Sequence, residues 1–251
     1  MGFPSGSFRY HRHMITATRR LVPGGAGVIG AALLAGPLPV RAASRDRDDM
    51  QSTLAGRTPA EALAELLAGN RRFRSGRPRY GHHVTNAAAA SGGQEPYAVV
   101  VGCIDSRVPC EAIFDQNFGS ICVVRSGAHV LDRAVTGSVE FAIGELRVPL
   151  VLVLGHERCG AVAATVEALR SGERPDGALG YLVDAIAPAV LDSGLDHPDV
   201  ARRALRRHVQ RTVASLRQVG SGRVPEAERA GRVAVVGAVY DLDTGMVDRL
   251  P

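Results

Sequence analysis

Two stretches decide the architecture: Tyr97-Ala-Val-Val-Val-Gly-Cys-Ile-Asp-Ser-Arg107 and Val148-Pro-Leu-Val-Leu-Val-Leu-Gly-His-Glu-Arg-Cys-Gly160. Each opens with a short apolar run rich in β-branched residues, too brief for a helix and without polar alternation. Such runs are strands buried on both faces, as in a parallel sheet. Similar runs occur at Ile121–Arg125 and Val233–Leu242, the latter closing the chain as a fourth strand. Between them, Gly137–Leu146, Gly160–Arg170 and Val200–Val219 have the spacing of helices. Strands alternating with helices predict a single α/β domain with a mixed, mainly parallel β-sheet flanked by helices. Upstream, Thr58-Pro59 starts a further helix through Ala62, Leu63, Leu66 and Leu67, with Gly69-Asn70 as its expected stop. Arg71–Ser91 reads as a loop around a short helix.

Both opening stretches end in reactive side chains. The carboxyl ends of strands line the ligand crevice of an open α/β sheet, so Cys103 and the pair His156 and Cys159 can converge if their strands are neighbours. His-x-x-Cys brings two donors to one ion through a tight turn entering a helix. Two sulfurs and one imidazole suit Zn²⁺, and three protein ligands leave a fourth position open, as catalytic zinc sites require. A lone Cys is usually a small core residue; the three together, with Asp105 and Arg107 beside the first, point to metal.

The net charge of +5 looks like a nucleic-acid signal until it is located. Residues 1–42 hold Arg9, Arg12, Arg19, Arg20 and Arg41 and no acid, and removing those five leaves the body balanced. The body therefore offers no overall charge to DNA or to an anionic membrane. Arg19-Arg20, the glycine-diluted apolar stretch Leu21–Ala35 and the small residues ending Val40-Arg41-Ala42 read as a twin-arginine signal peptide cleaved near Ala42. Met14 is an alternative start. Export is the expectation; cytoplasmic retention is the alternative, and the stretch is short for a stable membrane anchor. Residues 43–57 read as a polar linker and 58–251 as the folded domain. Gly25, Gly27 and Gly30 spell a dinucleotide-loop pattern, but Pro23 and the following prolines deny it the strand and helix it needs.

With these residues in place, the segments CIDSRVPCEAIFDQ, VVRSGAHV, GSVEFAI and VPLVLVLGHERCGAV resemble the beta-class carbonic anhydrases, especially the actinobacterial ones. The resemblance runs from LLAGNRRF to VVGAVYDLDTG, almost the whole body. It implies one Zn²⁺ per subunit on Cys103, His156 and Cys159, and reversible hydration of CO2 to bicarbonate and a proton by zinc-bound hydroxide. It implies a catalytic dyad in which Arg107 holds Asp105, and a closed state in which Asp105 becomes the fourth ligand. It implies substrate-binding roles for Gln94, which offers an amide to bicarbonate, and for Gly160, whose small size allows close backbone approach. A homodimer or homotetramer follows from the family, with CO2 and bicarbonate as the small-molecule partners.

Some positions depart from the family: Cys122 stands where an aromatic is common, Phe141 where a Tyr is common, and Val100 where a bicarbonate-inhibited subset has Trp. The altered pocket leaves open a hydrolase of COS or CS2 on the same fold; a catalytically silent zinc-binding protein is the third reading. Cys110 and Cys122 are expected as buried free thiols. His82, His83 and His129 are candidate proton shuttles.

Overall fold

The computed structural model describes residues 56–218 and 222–251. The expected leader, and all but the last two residues of the expected linker, lie outside the described residues. The chain begins with helix α1 (Pro59–Arg74) and a short α2 (Val84–Ala89). Strand β1 (Ala98–Cys103), one turn of helix α3 (Cys110–Ile113) and strand β2 (Ile121–Ser126) follow. Next come α4 (Arg133–Gly144), β3 (Leu150–His156), α5 (Gly160–Ser171), α6 (Gly177–Leu191) and α7 (Val200–Leu216). The chain closes with α8 (Arg223–Arg229), β4 (Ala234–Tyr240) and β5 (Val247–Arg249).

The strands form one sheet in the order β2-β1-β3-β4-β5. The first four are parallel and β5 is antiparallel to β4, so the sheet is mixed and mainly parallel as expected. The alternation of a pleated strand sends its side chains to two cores. Val99, Val101, Val151, Val153, Val235 and Val239 face the layer of α4 to α7. Ala98, Val100, Leu150, Leu152, Leu154, Val236 and Ala238 face α1 and α3. Every residue of β1 and β3 is buried, which is why their sequences carry no polar alternation. Gly155 and Gly237 let α7 approach: a Cβ on either would stand 2.6 or 2.8 Å from a methyl of Val209.

Several expectations need correction. Helix α1 does not stop at Gly69-Asn70 but continues to Arg74. Its start is a capping box, Thr58 accepting from the Glu61 backbone and Glu61 accepting from that of Thr58. Gly69 is a packing residue, because a Cβ there would lie 1.7 Å from the Phe114 carbonyl oxygen. Asn70 is buried; its Nδ2 donates to the carbonyls of Ile113 (3.1 Å) and Gly245 (2.9 Å), and its Oδ1 accepts from the Val247 amide (3.1 Å). A Gly-Asn pair that spells helix termination locally is thus a tertiary clamp. The fourth strand does not close the chain, since β5 returns along it. Helix α6 is not among the expected helices; its buried Val183, Ile186, Ala189 and Val190 fill the helical layer, with Pro188 inside it. No helix among the described residues is long and apolar enough to cross a membrane.

Candidate metal centre

Strands β1 and β3 are hydrogen-bonded neighbours, with Val101 opposite Val153 and Gly102 opposite Leu154. Their carboxyl ends therefore lie side by side, and those ends carry Cys103 and His156. After His156 the chain turns through Arg158, whose φ of 54° is left-handed, and delivers Cys159 as the N-cap of α5. The ligand atoms of Cys103, His156 and Cys159 all lie within 4.8 Å of one another, and all three residues are buried. The spacing His-x-x-Cys works because one residue takes a conformation that folds the turn back on itself.

The chemistry of this trio fits a zinc ion. His156 Nδ1 lies 3.0 Å from the Glu157 carbonyl, an acceptor only, so this nitrogen carries the proton and Nε2 holds the lone pair. That Nε2 is buried without a hydrogen-bond partner. A buried acceptor left without a donor is costly, and a metal supplies what the protein does not. Each thiol sets the other's proton affinity. The hydrogen bond with Cys159 leads in holding Cys103 below the usual thiol range, and the backbone of Asp105 and Ala128 acts in the same direction. Cys103 and burial push Cys159 the other way. The Ala128 N–H lies 3.3 Å from Cys103 Sγ.

Beside the trio, Arg107 grips Asp105 with Nε and a terminal nitrogen, at 3.0 and 2.8 Å, and its own backbone N–H adds a third contact at 2.9 Å. The Arg107 hydrogen bond is the main reason the Asp105 carboxyl stays far below the usual carboxylate range. Its Oδ2 stands 3.9 Å from His156 Nε2, at the margin of the trio.

Other singled-out residues fall elsewhere. Gln94 is exposed in the loop at the amino end of β1, whereas Cys103 is at the carboxyl end. Six strand residues rise about 17 Å at 3.3–3.4 Å each, so Gln94 does not join the site of its own subunit. Gly160 opens α5 next to Cys159, but a Cβ there would meet nothing within 4 Å; its smallness serves no close approach of the protein backbone. Phe141 is 52% exposed on α4. Cys110 and Cys122 are both free thiols, as expected, though Cys122 is only half-buried. They sit with opposite cores, Cys110 on the α1 side and Cys122 against the α4 side. Among the proposed shuttles, His129 is fully buried and held neutral by desolvation, which bars it from passing protons to water. His82 is engaged with the Gln116 carbonyl (2.9 Å) beside Phe118, and His83 precedes α2.

Sequence reasoning missed Arg125. It leaves β2 toward β1, donating to the carbonyls of Cys103 (2.6 Å) and Asp105 (2.5 Å), and so fixes the backbone that presents both side chains. A charged residue ending the apolar run ICVVRS was the available signal. Arg158 was likewise unremarked; it ties the ligand turn to the β4–β5 hairpin through a two-point pair with Asp243, at 2.6 and 2.8 Å.

Comparison with known proteins agrees with this geometry. A family model described as carbonic anhydrase matches residues 98–247. The chain is 43% identical over 188 residues to carbonic anhydrase 2 of Mycobacterium tuberculosis, covering 74% of this chain and 90% of that protein. It is 42% identical over 194 residues to a carbonic anhydrase of Mycolicibacterium smegmatis, covering 76% and 92%. Among solved structures, a tetrameric beta-carbonic anhydrase of Sordaria macrospora superposes with a TM-score of 0.58 at 25% identity, over 65% of this chain and 85% of that one.

Proposed function

This chain belongs to the beta-class carbonic anhydrase family, and from that premise we propose that it interconverts CO2 and bicarbonate on a zinc ion held by Cys103, His156 and Cys159. The observation that carries the reading is the buried trio of donors within 4.8 Å of one another, with the lone pair of His156 Nε2 otherwise unused. The chemistry a zinc ion supplies when bound there is acidification of water, giving a nucleophile near neutral pH.

The chain's own residues do the rest. Cys103 and Cys159 would hold the ion as thiolates and His156 would hold it through Nε2. Asp105, kept ionised by Arg107, would accept a hydrogen bond from the attacking water and so orient it toward CO2. Arg107 occupies both carboxylate oxygens of Asp105 and so would keep that carboxylate from binding a metal held by the trio. Arg125 holds the Cys103–Asp105 backbone in register with both tasks.

We further propose a homodimer or homotetramer. Gln94 can serve bicarbonate only in a partner's site, since its own lies at the far end of β1. Strand β2 is an edge strand with half-buried Ile121, Cys122, Val123 and Val124, and Phe141 and Ile104 are exposed apolar residues. An unpaired apolar edge calls for cover. The Sordaria relative is a tetramer. Export with cleavage near Ala42 remains our proposal for residues 1–42, resting on the arginine pair and the small-residue end; the N-terminal residue of protein recovered outside the cytoplasm tests it.

The deciding experiment is stopped-flow CO2 hydration with a pH indicator, alongside metal analysis of the purified protein. One zinc per chain and activity that chelator removes and zinc restores are expected. Purified protein without stoichiometric zinc, or zinc-loaded protein without CO2 hydration, refutes the proposal.

A further inference from the structure

Directly after β2 the chain makes one tight turn, Gly127–His129, and its geometry is unusual. Ala128 has φ 48° and ψ 38°, and His129 has φ 50°. Two consecutive non-glycine residues in the left-handed region are disfavoured, because Cβ crowds the carbonyl oxygen. Such a turn persists only where the surroundings hold it.

What holds it is a buried cluster supplied by α7. His208 Nε2 lies 3.0 Å from the Ala128 carbonyl, which can only accept, so Nε2 carries the proton. The His208 ring stacks on that of His129, with centroids 4.7 Å apart and 22° between planes. One helical turn on, Thr212 Oγ1 reaches His129 Nδ1 at 3.3 Å. All three residues are buried. On its other side, the Ala128 peptide donates N–H to Cys103 Sγ at 3.3 Å. A single residue is thus gripped at its carbonyl by α7 and aims its amide at a metal-ligand sulfur. The carbonyl contact costs nothing in charge, since burial pushes the His208 imidazole down to about 4 and keeps it neutral.

We propose that His208 is a positioning residue for the zinc site: by donating to the Ala128 carbonyl it holds the left-handed turn whose amide hydrogen-bonds to Cys103 Sγ. It never touches the metal or the substrate. The N–H···S contact offsets negative charge on a buried sulfur, and partners of this kind orient ligands and change metal affinity by about 10–100-fold. The proposal rests on the zinc reading above.

The test compares zinc-loaded wild type with His208→Phe, which keeps ring volume and stacking but has no donor, and His208→Gln, which keeps an N–H at similar reach. Zinc affinity is measured by competition with a chelator. The thiolate-to-metal charge-transfer band is recorded after cobalt(II) substitution. Expected are a loss of zinc affinity of about tenfold or more in His208→Phe, with the band moved to longer wavelength as Cys103 loses its hydrogen bond. His208→Gln should stay within about threefold of wild type by the same measure. Adding Ala128→Gly to His208→Phe should recover most of the lost affinity, because glycine takes the left-handed conformation without a clamp.

Folded His208→Phe with wild-type affinity and an unmoved band overturns the proposal. So does a Gln variant no better than Phe. Should His208→Phe not fold, His208→Asn replaces it; its shorter amide does not reach Ala128, and parity between the Asn and Gln variants then overturns the proposal. If wild type itself takes up no zinc, the reading of the site fails; if it does and His208→Phe is unaffected, this proposal alone fails.

Discussion

Replacing Asn70 by Ala tests whether the first helix and the C-terminal hairpin are one cooperative unit. Asn70 makes three hydrogen bonds from a buried position: two donated to the carbonyls of Ile113 and Gly245, one accepted from the Val247 amide. Sequence separations of 43, 175 and 177 residues make it a long-range clamp. Each bond contributes roughly 0.5–1.5 kcal/mol net, and each buried partner left unpaired costs roughly 1–3 kcal/mol. Gly245 is only partly buried and can turn to water, while Ile113 and Val247 are buried and cannot. The expected loss is therefore about 3–5 kcal/mol, a large part of the roughly 5–15 kcal/mol of an ordinary domain. Urea unfolding followed by circular dichroism, with wild type and variant zinc-loaded and at equal protein concentration, measures it. The midpoint should fall with the slope unchanged, and hydrogen exchange at Val247–Arg249 should lose its protection. A loss below about 1 kcal/mol would refute the clamp, since one ordinary hydrogen bond accounts for that much.

Arg107→Ala should retain one zinc per chain yet lose CO2 hydration by about 10²–10⁴-fold, the usual range for a displaced acid–base group; retained activity with intact metal would contradict the dyad. The buried His208, pushed down to about 4 chiefly by desolvation, makes the fold acid-sensitive in a defined window. Above 6.5 the imidazole is mostly neutral in both the folded and the unfolded state, without the second, charging proton. Below 6.5 the unfolded state takes up a proton that the folded state refuses until about 4, so stability falls with falling pH by about 1.4 kcal/mol per unit, roughly 3 kcal/mol over the window. The stability gap between wild type and His208→Gln should therefore shrink by about 2 kcal/mol from pH 7.5 to 5, and a gap that does not narrow counts against a neutral buried His208. Cys110 and Cys122 face opposite cores, so peptide mapping after mild oxidation should find no bond between them, and Cys110, its thiol pushed up to about 12 by burial, should react with thiol reagents only on unfolding.

Sequence alone determined the features whose signals are local. Buried parallel strands show themselves as short unbroken apolar runs, because both faces of β1 and β3 are covered and nothing polar is tolerated on either. His156 and Cys159 are legible as a pair because three residues of backbone suffice to fold one back beside the other. Cys103 joins them only because β1 and β3 are neighbours, a condition the sequence leaves open and the sheet order meets. Only the tertiary structure decided the rest. Gly69-Asn70 carries the letters of a helix stop, and only the Phe114 carbonyl and the β5 amide show it to be a packing contact and a clamp. Gln94 lies nine residues from Cys103 in the chain, yet an extended strand sends those residues to opposite ends of the sheet. Arg125 reaches the carbonyl of Cys103 across 22 residues, and His208 the carbonyl of Ala128, whose amide meets Cys103, across 80, contacts that no spacing rule encodes. The difference is physical: local backbone geometry is set by neighbouring residues, whereas the partner of a buried polar group is chosen by packing.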